Sequence, residues 1–533
     1  MTEAPGSTSD QISATVAAGY AFEGPALELG GLLVDASTLG GVPIRIPLPM
    51  LNRHGLVAGA TGTGKTKTLQ LLAEQLSAAG VPVFAADIKG DLSGLSAPGA
   101  DNPKIQERAG SLGQDWQPQG FPVELFALGG QGTGTPLRVT MTAFGPTLLA
   151  KVLGLNDTQE SSLGLVFHYA DKAGLPLLDL ADLREVVKYL TSDEGKADLK
   201  DLGGLSSATA GVILRELITF SDQGADVFFG EPEFETADFL RTTADGHGVI
   251  SLVELPNLQD RPAVFSTFLM WLLADLFHDL PEVGDVEKPK LVFFFDEAHL
   301  LFNDASKAFL DAVAQTVRLI RSKGVGVFFV TQSPTDVPDN VLAQLGSRVQ
   351  HQLRAATPND AKALKQTVNT YPHSAYDDLG KVILSLGIGE AVVTVMDERG
   401  APTPVAWTRL RAPESLMGPA DAAAMQQSVE ASPLHAKYAE AVDRESAREK
   451  LAAKLEAGAA KARAEQEAEE QATLEEKLRR EGEQATRSRS GSRRTTRQEK
   501  SVVEEVLTST TARQLGRTAV REIFRGIFKT GRR

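Results

Sequence analysis

The chain of 533 residues contains no cysteine. Disulfide staples and thiolate zinc sites are therefore excluded, and the composition suits a reducing compartment. No secretory leader is expected: residues 1–19 are small and polar, with no basic start running into an apolar stretch. No long hydrophobic run is present either. The most apolar span, residues 265–277, is too short to cross a bilayer and carries Asp275. These absences together predict a cytoplasmic protein. What is there is an ordinary globular composition, 42% hydrophobic and 23% charged, long enough for two or three domains and a sizeable core. The net charge of −15 is unevenly spread. Residues 477–500 hold nine basic side chains against three acidic, and residues 501–533 hold seven against three. The end of the chain thus carries +10 and the remainder −25. A basic end on an acidic body points to an anionic partner: nucleic acid, a membrane surface, or the body itself.

One stretch organises the rest. Gly59-Ala60-Thr61-Gly62-Thr63-Gly64-Lys65-Thr66 fits the phosphate-binding P-loop, G-x-x-x-x-G-K-[ST]. An apolar run precedes it and a helical pattern through Thr68 follows it, giving strand, glycine loop and helix. Glycines let backbone N–H groups turn inward around phosphates, and a helix N-terminus adds positive potential. Lys65 would reach the β- and γ-phosphates, and the Thr66 hydroxyl would ligate Mg²⁺. Thr68, one turn on, completes the expected binding set. Residues 290–299 end an apolar strand in Asp296-Glu297, a Walker B pattern. Asp296 would bind the Mg²⁺ shell, and Glu297 would act as general base or orient the attacking water. Residues 81–87 read as a buried strand whose end delivers Asp87 and Asp91 beside the P-loop. Either acid could hold a Mg²⁺-bound water; the alternative is a turn in which Asp91 caps the chain. Residues 324–331 form a further buried strand ending in Thr331-Gln332, and the Gln332 amide suits a γ-phosphate sensor.

Taken in order, residues 1–19 are expected to be disordered, and residues 20–51 to form a short β lead-in. Residues 52–140 and 246–411 make the core, closed by strands near 388–397 and 403–409. Residues 141–245 are a mostly helical insertion with a solvated charged face. Residues 433–484 read as one long charged helix or coiled coil, though Tyr438, Val442, Leu451, Leu455, Leu474 and Leu478 repeat too irregularly for a heptad. An Arg/Ser-rich linker over 485–500 and a basic amphipathic helix over 501–533 end the chain. The strand order predicts an α/β, RecA/AAA-like additional-strand P-loop NTPase core. The guanine-reading Asn-Lys-x-Asp of small GTPases is absent, so ATP is the favoured triphosphate.

The P-loop, Asp87-Ile88-Lys89-Gly90-Asp91-Leu92-Ser93-Gly94-Leu95, Phe294-Phe295-Asp296-Glu297-Ala298-His299 and residues 321–334 resemble the HerA/FtsK superfamily of motor ATPases, and within it the YjgR-type HerA-like helicases. The resemblance implies ATP hydrolysis with Mg²⁺ in a homo-oligomer, a hexameric ring whose sites are completed by a neighbour's arginine. Arg321 matches that arginine by motif, with Arg348 and Arg354 as further candidates. Only about fifty residues precede the P-loop, too few for the β-barrel of HerA-type proteins. Three functions follow as expectations: a DNA translocase or helicase; an ATPase acting on protein or at a membrane surface through the basic C-terminus; and a nucleotide-gated scaffold with low turnover.

Overall fold

The computed structural model describes residues 8–34, 37–200, 202–255, 262–284, 286–302, 307–372 and 374–489. Its framework is one sheet of twelve strands: β1 (Ala26–Val34), β2 (Ser37–Pro47), β3 (Gly55–Ala58), β4 (Val83–Asp87), β5 (Val123–Leu128), β6 (Thr135–Leu137), β7 (Ile250–Glu254), β8 (Leu291–Phe295), β9 (Val325–Thr331), β10 (Ser347–Gln350), β11 (Glu390–Thr394) and β12 (Ala406–Leu410). Their spatial order is β2-β1-β12-β11-β10-β3-β9-β8-β4-β7-β5-β6. From β10 to β6 every pairing is parallel. The other four strands pair antiparallel, and β11 and β12 form the expected hairpin. β9 lies between the P-loop strand β3 and the Asp-Glu strand β8, which is the additional-strand arrangement.

Parallel strands are covered on both faces, so they read as unbroken apolar runs. Alternate side chains of one strand then enter opposite cores. Phe293 and Phe295 join one hydrophobic cluster, and Val292 and Phe294 join the other. Val327 and Phe329, against Phe328 and Val330, divide in the same way. The helices of residues 141–245 do not build a core of their own. Leu163, Val166, Leu183, Val186, Ile213 and Leu217 belong to the same cluster as Phe293 and Phe295, so the insertion completes one face of the sheet.

Both ends of the chain differ from expectation. Thr8–Gly19 is a helix, not a disordered lead. Ile12, Val16 and Tyr20 recur every four residues and are buried on one side of it, and the Tyr20 hydroxyl donates to the Val393 carbonyl at 3.1 Å. The charged segment is two helices, Pro433–Tyr438 and Ala447–Arg489. Tyr438 and Leu451 are buried in the main core, whereas Leu455, Leu474 and Leu478 are exposed. The chain divides into two compact units at Lys454 and Leu455. In the second, the described residues 455–489 are helical, so the expected linker is helix as far as Arg489. Residues 490–533, with the basic amphipathic helix expected over 501–533, lie outside the described residues. Among the described residues no helix is long and apolar enough to cross a membrane.

The segment after β12 is clasped by the P-loop helix, Lys65–Ala78. Buried Glu74 accepts hydrogen bonds from the N–H groups of Glu414 (3.0 Å) and Ser415 (3.3 Å) and from the Ser415 hydroxyl (3.0 Å). Burial pushes its carboxyl from 4.5 up to about 7, against the pull of those donors. Below pH 4.5 the group is protonated folded or unfolded and costs nothing. As pH rises from 4.5 to about 7 the unfolded chain ionises first and the fold loses up to roughly 3 kcal/mol, a loss that is complete above 7. A thermal-unfolding scan from pH 5 to 8 should show this loss, and Glu74→Gln should flatten it. An unchanged slope in the variant would remove Glu74 as its source.

Candidate nucleotide-binding site

β3 delivers the chain into residues 59–64, and the P-loop helix starts at Lys65. Gly64 caps that helix at φ +117°, a conformation closed to side chains with a Cβ. Gly59 is required for closeness, since a Cβ there would lie 2.4 Å from Cβ of His351. The loop is pinned from three sides. Gly59 N–H donates to the Thr331 carbonyl (3.2 Å), Ala60 N–H to Gln352 (2.8 Å), and Gly389 N–H to Thr63 (3.1 Å). Thr61 and Gly62 stay exposed, and Thr66 is half-buried in the first turn. Lys65 is buried, its ammonium donating to the carbonyls of Gly59 (2.7 Å) and Ala60 (3.3 Å). Burial pushes its pKa down, and the nearby charge of Glu297 opposes that. Thr68 lies against the end of this loop, its hydroxyl 3.3 Å from the Gly64 carbonyl. It is buried, with its hydroxyl 2.8 Å from Nε2 of His351.

Asp296 and Glu297 follow β8 directly. Asp296 is buried; one oxygen accepts the Glu297 N–H at 2.9 Å, and the other, Oδ2, is buried without a partner. Burial pushes its carboxyl up to about 6, aided by the Glu297 charge and opposed by Lys89. A buried, partnerless carboxylate oxygen is costly unless a cation completes it. Glu297 adopts φ +49°, uncommon for a residue with a side chain. Its carboxylate contacts the Lys89 ammonium, and its other oxygen lies 3.2 Å from His299 Nδ1. Burial pushes Glu297 up, but Lys89 outweighs it and holds the carboxyl below the ordinary range. Lys65, Lys89, Asp296 and Glu297 all act electrostatically on one another, so these side chains face one space at the C-terminal ends of β3, β4 and β8.

The chain matches the family model described as "Helicase HerA-like C-terminal" over residues 34–533. It belongs to the HerA-like helicase family. It is 21% identical over 357 residues to the DNA double-strand break repair helicase HerA of Sulfolobus acidocaldarius, covering 66% of this chain and 64% of that protein. To the HerA of Sulfurisphaera tokodaii it is 23% identical over 364 residues, with the same coverage. The chain thus spans somewhat under two thirds of these curated relatives' length. Among solved structures, the bacterial conjugative coupling protein TrwB is similar in fold, with TM-score 0.50 and 17% identity over 77% of this chain and 94% of that one.

Other expected site residues of this HerA-like chain divide sharply. Asp87, expected beside the metal, is committed to the backbone. It is fully buried, and its two oxygens accept the N–H groups of Lys89 (3.2 Å), Gly90 (2.7 Å) and Leu92 (2.8 Å). Of the two acids weighed for that role, Asp91 keeps a buried oxygen without a partner. Thr331 turns its hydroxyl to Asp336 (2.6 Å), leaving Gln332 exposed at the crevice edge. Arg348 is tied down, donating to the Thr370 carbonyl (2.6 Å) and lying 5.8 Å from the centre of the Tyr371 ring. Arg321 precedes β9, at the opposite end of that strand from the P-loop, so it cannot serve its own site. Arg354 is exposed beside the P-loop, 3.4 Å from the Thr61 carbonyl.

Sequence reasoning gave no role to Lys89, His299 or His351. It also missed a cavity of about 270 Å³ against the first turns of the P-loop helix, lined by Lys67, Leu71, Ile105, Ile388, Pro413 and Met417. These wall residues come from four separate stretches, so no local pattern announces them.

Proposed function

We propose that this chain binds and hydrolyses ATP and uses the energy to move on or remodel DNA as a ring-forming motor. The observation that carries the hydrolytic part is the partnerless, buried Oδ2 of Asp296 set beside ionised Glu297 and the P-loop ammonium. In this reading the loop N–H groups and the helix N-terminus bind the phosphates, and Lys65 neutralises their terminal charge. Mg²⁺ fits the residues present: Asp296 Oδ2 and the Thr66 hydroxyl would hold it. Among the described residues no cluster of three His, Asp or Glu could cage a metal by itself, which suits an ion completed by substrate phosphates and water. Bound there, it would draw charge from the bridging phosphate oxygens. Glu297, kept ionised, takes the proton of the attacking water, and Gln332 orients that water from the strand end. An arginine must come from a neighbouring copy, with Arg321 the candidate on placement because it lies at the far end of β9. The apolar cavity beside the P-loop helix is the place for the base.

The DNA part is supported by family membership and by the +10 of residues 477–533. The test is DNA affinity of the full chain, measured with a non-hydrolysable ATP analogue across a salt series. Affinity should fall steeply and log-linearly as salt rises, since lysines and arginines displace phosphate counterions. Undetectable binding at low salt would remove the DNA reading. Binding to anionic liposomes in place of DNA, lost on deletion of residues 486–533, would favour the membrane-surface alternative.

A further inference from the structure

The carboxylate of Glu297 is held by the Lys89 ammonium, from the loop after β4, while its other oxygen lies 3.2 Å from Nδ1 of His299, which begins the short helix His299–Phe302. The Lys89 backbone is fixed, because Asp87 accepts its N–H and those of Gly90 and Leu92. Its side chain is 40% exposed, which leaves the ammonium room to change partner. The ammonium also acts on Asp296 and on Lys65, so it stands in the space those residues face. In the P-loop reading above, on which this inference rests, that space receives the terminal phosphate. A γ-phosphate carries more negative charge than a carboxylate and offers three acceptor oxygens, so it competes for the same ammonium.

We propose that Lys89 is a γ-phosphate-responsive latch on Glu297. With a diphosphate in the site the ammonium stays on the carboxylate. With a triphosphate it moves to the γ-phosphate, and the carboxylate oxygen it leaves becomes free to accept a proton from water. No bond is made or broken in this step. A fixed backbone carrying a partly exposed charged tip is the form such a switch needs. The latch thus couples the presence of the group to be cleaved to the readiness of the base.

The test is titration calorimetry with Mg²⁺ on the full chain, comparing ADP with a non-hydrolysable ATP analogue. Lys89→Met should bind ADP as the wild type does, which also shows that the site is folded. It should bind the ATP analogue about tenfold more weakly, the effect of one lost charge-assisted contact, and its turnover should fall. Lys89→Arg, which keeps the charge, should restore part of the triphosphate preference. A purely structural ion pair would not shift ATP against ADP. If Lys89→Met keeps the wild-type preference, the latch is overturned. If it speeds turnover with the preference unchanged, Lys89 merely restrains Glu297 and the latch is again overturned. If the wild type binds neither nucleotide, the ATPase reading fails together with the latch. If it binds both and only the variant fails to discriminate as expected, the latch alone falls.

Discussion

Glu297→Gln should stop ATP turnover while leaving ATP in place. The two side chains are nearly the same size, and the glutamate sits in a tight turn at φ +49° after β8, so the backbone need not change. What changes is basicity. An amide accepts a hydrogen bond but does not take a proton at neutral pH. The local charges make the wild-type carboxylate a base that is already ionised, since Lys89 holds it below the ordinary glutamate range despite burial. Loss of a positioned general base is worth about 10²–10⁴-fold in rate, so steady-state phosphate release should fall by that range. Binding should survive, because the groups meeting the phosphates are the loop N–H groups and Lys65. The amide also leaves Lys89 without its carboxylate partner, which favours transfer of that ammonium to the triphosphate. ATP analogue affinity in the variant should therefore equal or exceed that of the wild type. Equal hydrolysis by the two proteins would show that another residue activates the water.

How much of this was legible in the sequence follows from how local each determinant is. The central strands were legible because each is short, apolar and buried on both faces: Phe293, Phe294 and Phe295 all meet a core, so nothing interrupts the run. The P-loop was legible because its conformation depends on glycines within the motif itself. The N-terminal helix was not, because Ile12 and Val16, with Tyr20 just past its end, are its only large buried side chains and stand among serines, alanines and threonines. The break between Tyr438 and Ala447 was hidden inside one continuous charged composition. Asp87 carried a readable signal that was passed over. An aspartate followed three residues later by glycine commonly folds its carboxylate back onto the next N–H groups, and Gly90 here has φ +74°. The arginines were illegible for a deeper reason: whether one is a finger or a structural brace depends on which end of which strand it occupies. Arg348 found a carbonyl and a tyrosine ring within reach. Lys89 and Glu297 meet because β4 and β8 are neighbours in the sheet, a fact that strand order supplies and sequence spacing does not.

The largest loss of nucleotide affinity should come from Lys65→Met. The site sets Lys65 and Lys89 against Asp296 and Glu297, a balance of two cations and two acids. Removing Lys65 leaves two carboxylates and a single ammonium facing a polyanion. Truncating one partner of such a buried arrangement typically costs about 2–5 kcal/mol, or roughly 30-fold to several thousand-fold in Kd. Calorimetric titration of ADP and ATP analogue should show both weakened, in contrast to the selective defect of Lys89→Met. Lys65→Arg should not rescue, because the ammonium is enclosed by the carbonyls of Gly59 and Ala60, and a planar guanidinium demands a wider fork. Folding should respond in the opposite sense. Burial already disfavours the charged form of Lys65, so the unliganded protein loses a desolvated cation. Its thermal midpoint should hold steady or rise in Lys65→Met. A variant that binds ADP within threefold of the wild type would mean that the ammonium does not face the phosphates, and the catalytic roles given to Asp296 and Glu297 would lose their common centre.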